Sequence, residues 1–142
     1  MDYCKILIFS LNGKDYAVEL DYVERILGHL NIENVPQSQK FIEGIIDYGD
    51  ETLTIINLLE LFGYSSVDEN NEDSRIIVII DGNQRLGVKV DSVKEVTQLS
   101  LAEVEELPRI ADSNKNTKVK GLIKSNGVIK ILLDAKKILN FE

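Results

Sequence analysis

Asp21 and Asp91 stand in matching contexts, Asp-Tyr-Val-Glu and Asp-Ser-Val-Lys. One carboxylate per copy of a duplicated chain is how two-lobed aspartic proteases share a proton between two Asp residues. Neither aspartate lies in an Asp-Thr/Ser-Gly turn, and each precedes a segment that reads as a helix start. Helix capping therefore explains them better than acid chemistry. His29 is the sole histidine, which removes His-rich metal sites and a repeated histidine base. Cys4 is the sole cysteine, so an intrachain disulfide and Cys-x-x-Cys metal chemistry are excluded, and it reads as a buried or neutral structural thiol. No glycine-rich phosphate cradle occurs, and no cofactor is expected. Lys115, Lys118, Lys120, Lys124 and Lys130 alternate with apolar residues, the pattern of a solvated sheet face rather than a polyanion site. What remains is the turn DYGDE, residues 47–51. Asp47, Asp50 and Glu51 could form an acidic patch for a basic partner group, and Gly49 supplies the turn conformation. Binding, not catalysis, is the chemistry these residues offer.

The elements that must position this turn are bounded by the totals. The chain has 142 residues, 44% of them hydrophobic, enough for one good core or two small joined ones. Its formal charge of −8 repels a phosphate backbone, and no basic stripe with interleaved aromatics compensates, so nucleic acid is not an expected partner. The charge is uneven: residues 1–70 carry 13 acids and 4 bases, residues 71–142 carry 11 and 12. The opening apolar run, Ile6 to Phe9, is a strand and not a leader. No run approaches the roughly 20 residues of a membrane-spanning helix. A cytoplasmic protein without direct membrane insertion is the expectation.

The chain repeats itself. Residues 6–26 (ILIFSLNGKDYAVELDYVERI) lie over 76–96 (IIVIIDGNQRLGVKVDSVKEV) without a gap. Residues 43–63 likewise lie over 120–140, so Gly44 meets Gly121 and Asn57 meets Asp134. Each copy reads as a hairpin turning at Asn12-Gly13 or Gly82-Asn83 and a short helix begun by a capping box at Asp21 and Glu24, or at Asp91. A polar connection holding Pro36 or Pro108 follows, then a second hairpin turning at 48–51 or at Asn126-Gly127, and a closing helix capped by Asn57 or Asp134. Gly44 and Gly121, inside apolar strands, mark bulges or close backbone approach. Residues 65–74, SSVDENNEDS, form a polar surface loop. The expectation is an all-β protein of two small barrels fused by duplication, subdomain one mainly 1–64 and subdomain two mainly 74–142, with exchange of strands open between them.

The ordered segments ILIFSLNGKDYAVELDYVERIL, FIEGIIDYGDETLTIINLLELFG, RIIVIIDGNQRLGVKVDSVKEV and VKGLIKSNGVIKILLDAKKIL resemble the CheW-like family over nearly the whole chain. That resemblance implies two fused five-stranded SH3-like β-barrels. It also implies a non-enzymatic chemotaxis adaptor that couples the cytoplasmic tip of a chemoreceptor to the regulatory domain of a CheA-type histidine kinase. Carried over position by position, it implies partner-binding roles for Val23, Arg25 and Ile26 on the first short helix, and for Gly44, Asp47, Gly49 and Asp50 around the turn. Val23 and Gly44 match the family pattern. Arg25 stands where the family often has Glu, and Asp47, Gly49 and Asp50 replace its Asn, Arg and Gly. Thr54 and Asn57 replace Pro and Asp. Losing a guanidinium at Gly49 removes a fork of donors, so either the partner has changed with this chain or a non-chemotaxis kinase pathway is served. A small-ligand-binding barrel is the further alternative.

Overall fold

The computed structural model describes residues 2–28, 30–64, 72–107, 118–125 and 127–140. The expected turns at Asn12-Gly13, at Gly82-Asn83 and at 49–50 are present between paired strands. His29, Pro108, Lys115, Asn126 and most of the 65–74 segment lie outside the described residues. In the first copy, β1 (Tyr3–Leu11) and β2 (Lys14–Glu19) form one hairpin, and β3 (Val23–Leu27), β4 (Ile42–Tyr48), β5 (Glu51–Asn57) and helix α1 (Leu58–Leu61) follow. The second copy gives β6 (Arg75–Asp81), β7 (Gln84–Val90), β8 (Ser92–Ser100), the short β9 (Val104–Glu105), β10 (Val119–Ser125), β11 (Val128–Leu133) and α2 (Ala135–Leu139).

Two sheets result, ordered β8-β1-β2-β11-β10-β9 and β3-β6-β7-β5-β4. Each sheet takes its first hairpin from one copy and its remaining strands from the other. Chain length between strands dictates this. β1 is antiparallel to both its neighbours, so any strand in the place of β8 runs parallel to β2. Were β3 to take that place, the chain would have to return along the length of β2, about 20 Å, before starting again. Only Leu20, Asp21 and Tyr22 separate β2 from β3, too few for such a crossover, so β3 leaves for the other sheet and pairs with β6. Asp91 alone separates β7 from β8 and forces the reciprocal exit.

The two halves match in register around their bulges and parallel contacts. Val23 faces Ile79 and Arg25 faces Val78 across a bulge, as Val93 faces Phe9 and Glu95 faces Ile8. The parallel contacts Ile55 with Gly87 and Leu132 with Ala17 are counterparts in the same way. The apolar runs are buried on both faces, which is why they are continuous rather than alternating. Ile6 and Ile8 fill one barrel with Leu99, Ile123 and Leu132. Ile76 and Val78 fill the other with Ile46, Leu53 and Ile55. The alternate residues Leu7, Phe9, Ile77 and Ile79 meet in a shared core between the sheets, closed by Leu58 and Ile138 from the two helices.

Both closing helices start as expected: Asn57 Oδ1 accepts from the Glu60 N–H at 3.1 Å and Asp134 Oδ1 from the Lys137 N–H at 3.2 Å. The helices expected after Asp21 and Asp91 do not form. Leu20–Tyr22 is a single 3-10 turn with no side-chain cap, and Val23 resumes as strand. Pairing with β6 satisfies more backbone groups than a one-turn helix could, and it overrides the local capping signal. Asp91 instead accepts from the Asn12 N–H at 2.7 Å and ties down the β1–β2 turn of the other copy.

Candidate partner-binding site

Of the residues singled out in the sequence, Arg25 lies over Tyr48 next to the turn of Gly49 and Asp50, at the Tyr48–Glu51 end of the β4–β5 hairpin. The bulge between Val23 and Arg25 inserts Glu24, an extra residue that re-aims the side chains of β3. Glu24 takes a bidentate ion pair from Arg85 on β7, Nε to Oε1 at 2.8 Å and Nη2 to Oε2 at 3.0 Å. Arg85 also donates from Nη1 to Glu51 Oε2 at 2.9 Å. Tyr48, at the end of β4, donates its hydroxyl to Glu24 Oε1 at 2.7 Å. Two guanidiniums approach its ring, Arg25 at 5.8 Å and Arg85 at 5.4 Å from the centroid, within cation–π range.

The electrostatics follow from these contacts. The hydrogen bonds from Arg85 and then Tyr48 hold the Glu24 carboxyl below its ordinary range. Burial, then the bond to Glu24, pushes the Tyr48 phenol up, and the Glu24 carboxylate raises Arg85 further. The arrangement is a hydrogen-bonded platform with Tyr48 at its centre. Among the described residues no group of three or more His, Cys, Asp or Glu could hold a metal. Cys4 is half-buried, and burial first, with Glu19 second, raises its thiol away from the reactive thiolate.

The platform unites some of the expected residues and separates others. Arg25 is exposed, and Ile26 beside it is 41% exposed, an apolar group open to a partner. Val23 is half-buried and packs on the shared core. All three lie on strand β3, not on a helix. Gly49, with φ of 64°, and the exposed Asp50 form the turn beside the platform. Gly44 is buried at the bulge of β4, where a Cβ would land on the carbonyl oxygen of Glu33. Asp47 is exposed along a shallow groove of about 270 Å³ shared with Leu30, Asn31, Glu33, Ile45 and Ile46. Glu51 is engaged by Arg85, so Asp47, Asp50 and Glu51 do not make one free acidic patch. Lys120 and Lys124 are paired with Glu19 and Glu105 and offer no polyanion site.

Sequence reasoning missed Arg85 and the central place of Tyr48. Arg85 lies 61 residues from Glu24, and only the exchange of hairpins brings them together. The guanidinium absent from the turn at Gly49 is thereby supplied next to it by the other copy.

A profile described as the CheW-like domain matches residues 5–142. This chain belongs to the CheW-like family. The chemotaxis protein CheW of Thermotoga maritima is 30% identical over 135 residues, covering 95% of this chain and 87% of that protein. CheW of Klebsiella aerogenes is 26% identical over 138 residues, with 97% and 82% covered. The crystal structure of the scaffolding protein TtCheW from Thermoanaerobacter tengcongensis superposes with a TM-score of 0.82 at 28% identity, covering 94% of this chain and 85% of that one. The CheW-like fold of paired β-barrels is therefore the frame in which the Tyr48 platform is displayed. No helix among the described residues is long and apolar enough to cross a membrane.

Proposed function

We propose that this chain is a non-enzymatic adaptor of chemotaxis signalling in the cytoplasm, coupling a chemoreceptor's cytoplasmic tip to the regulatory domain of a CheA-type histidine kinase. The observation that carries the reading is the CheW-like match from residue 5 to 142 on a strand framework whose relatives are chemotaxis CheW proteins. The work of such an adaptor is to hold surfaces at fixed positions. Here the shared core fixes both sheets, and the Tyr48 platform locks β3, β5 and β7 together beside the turn 49–50. The kinase-facing surface in this reading is Val23, Arg25 and Ile26 on β3 with Asp47, Gly49 and Asp50 at the hairpin end, and Gly44 holds the strand beneath. The shared core leaves a void of only about 10 Å³ among Phe9, Val18, Leu58, Ile77 and Ile138, at the threshold for a single water, so no small ligand fits between the sheets there.

The departures at Arg25 and Gly49 favour a second partner, a kinase regulatory domain outside chemotaxis, and one experiment separates the two. Titration calorimetry against each purified kinase regulatory domain of the source organism gives binding to the chemotaxis kinase under the first reading. Val23→Asp or Asp50→Lys then weakens it by about tenfold to a hundredfold, as at an interface hot spot. Binding confined to a non-chemotaxis kinase establishes the second reading, and binding to none refutes both.

A further inference from the structure

The two copies differ in a consistent way where they touch each other. Each copy's first hairpin sits in the sheet completed by the other, next to strands that carry bulges. The extra residue of each bulge is charged: Glu24 on β3 and Glu43 on β4 in the first copy, Lys94 on β8 and Lys120 on β10 in the second. The hairpins bring charges to meet them. Asp15 Oδ1 lies 2.6 Å from Lys94 Nζ, and the counterpart pair is Arg85 with Glu24 at 2.8 Å. Glu19 pairs with Lys120, and the counterpart positions hold Lys89 and Glu43. Asn57 links those two positions, facing Lys89 across the parallel strands and donating to Glu43 at 2.9 Å. All four of these positions are acidic in the first copy, Asp15, Glu19, Glu24 and Glu43. All four are basic in the second, Arg85, Lys89, Lys94 and Lys120.

We propose that these eight charges form a recognition code that makes each half accept the opposite half and refuse another copy of itself. Around the bulges the backbone does not discriminate, because the four pairs of β3 with β6 have counterparts in register among the eight pairs of β8 with β1. A first half joined to the first half of another molecule would set Asp15 against Glu24 and Glu19 against Glu43. Two second halves would set Arg85 against Lys94 and Lys89 against Lys120. Every contact that attracts in the native pairing repels in the homotypic one. The Asp15 side chain is only 15% exposed, so its interactions are less screened than those of an open surface charge. The excess of acid in residues 1–70 thus has a role inside the fold, guarding a duplicated chain against like-with-like pairing of halves from different molecules.

Full-length variants test the code at constant net charge. D15R/R85D sets a carboxylate against Glu24 and a guanidinium against Lys94, while making one of the two contacts at each homotypic interface attractive, 15 with 24 and 85 with 94. The unfolding equilibrium constant should rise about tenfold. Refolding from denaturant at high concentration should yield a dimer fraction, measured by light scattering, well above that of the parent. Adding E24R/K94D restores opposite charges at both contacts, and this quadruple variant should return the dimer fraction to the parental value and recover part of the stability, the Glu51 ion pair and the Tyr48 hydrogen bond staying lost. D15N/R85Q, which removes attraction without adding repulsion, should fall between and serves if D15R/R85D does not fold. The proposal is overturned if the double variant matches the parent, if it loses stability without gaining dimer, or if the quadruple variant recovers neither.

Discussion

Gly44→Ala is the sharpest probe of how the fold holds the candidate site. Gly44 has φ of 150° and lies where β4 bulges against the segment before Val35. An added Cβ would fall on the Glu33 carbonyl oxygen and within 2.7 Å of Ile32 Cγ2 and 2.8 Å of the Glu33 carbonyl carbon. Backbone cannot yield as a flexible side chain does, so the 32–33 segment must step away. That breaks the reciprocal hydrogen bonds between Glu33 and Ile45, 3.0 and 2.9 Å, each worth about 1 kcal/mol net. Forcing a residue with a Cβ into this φ region adds about 1–2 kcal/mol. The total, about 3–4 kcal/mol, is a large share of the stability of a typical domain. With a urea m-value of about 2 kcal/mol/M, the unfolding midpoint should fall by about 1.5–2 M. Gly49→Ala, with open space around its Cβ, is the matched control and should lose only about 1 kcal/mol for its backbone conformation. A Gly44→Ala protein with a midpoint within about 0.3 M of the parent would refute the packing argument. If it also failed to bind the kinase domain, Gly44 would belong to the interface itself.

The Tyr48 platform predicts a pH signature. Glu24's carboxyl is lowered in the fold, so its contribution is fully present above its ordinary value of 4.5 and is lost as pH falls through the lower folded value. Tyr48's phenol is raised, so its contribution is present below its ordinary value of 10 and is lost as pH rises through the raised one. Urea midpoints of the parent and Glu24→Gln should therefore differ most between these limits and converge in acid; a difference unchanged by pH would show that the Glu24 charge carries no stability. In the shared core, Ile138 is 2% exposed against strands of both copies, and Ile138→Ala should cost about 2–5 kcal/mol. A two-state transition retained at that lower stability would confirm that the barrels unfold as one unit, and two separate transitions would refute it.

Local signals in the sequence determined the hairpins, the caps at Asn57 and Asp134, the bulge glycines and the twofold repeat, because turn chemistry and alternation act between near neighbours. The resemblance carried the family. The segment after Asp21 was misread because a capping signal is worth about 1 kcal/mol and strand pairing with β6 satisfies a whole row of backbone groups. Tertiary structure alone decided which hairpin fills which sheet, since that depends on a crossover too short to close. It thereby decided that Arg85 and not a turn residue would supply the guanidinium beside Tyr48. Contacts between residues 61 positions apart leave no local pattern, and the pairing of β6 with both β3 and β7 is what brings Glu24 and Arg85 within 3 Å.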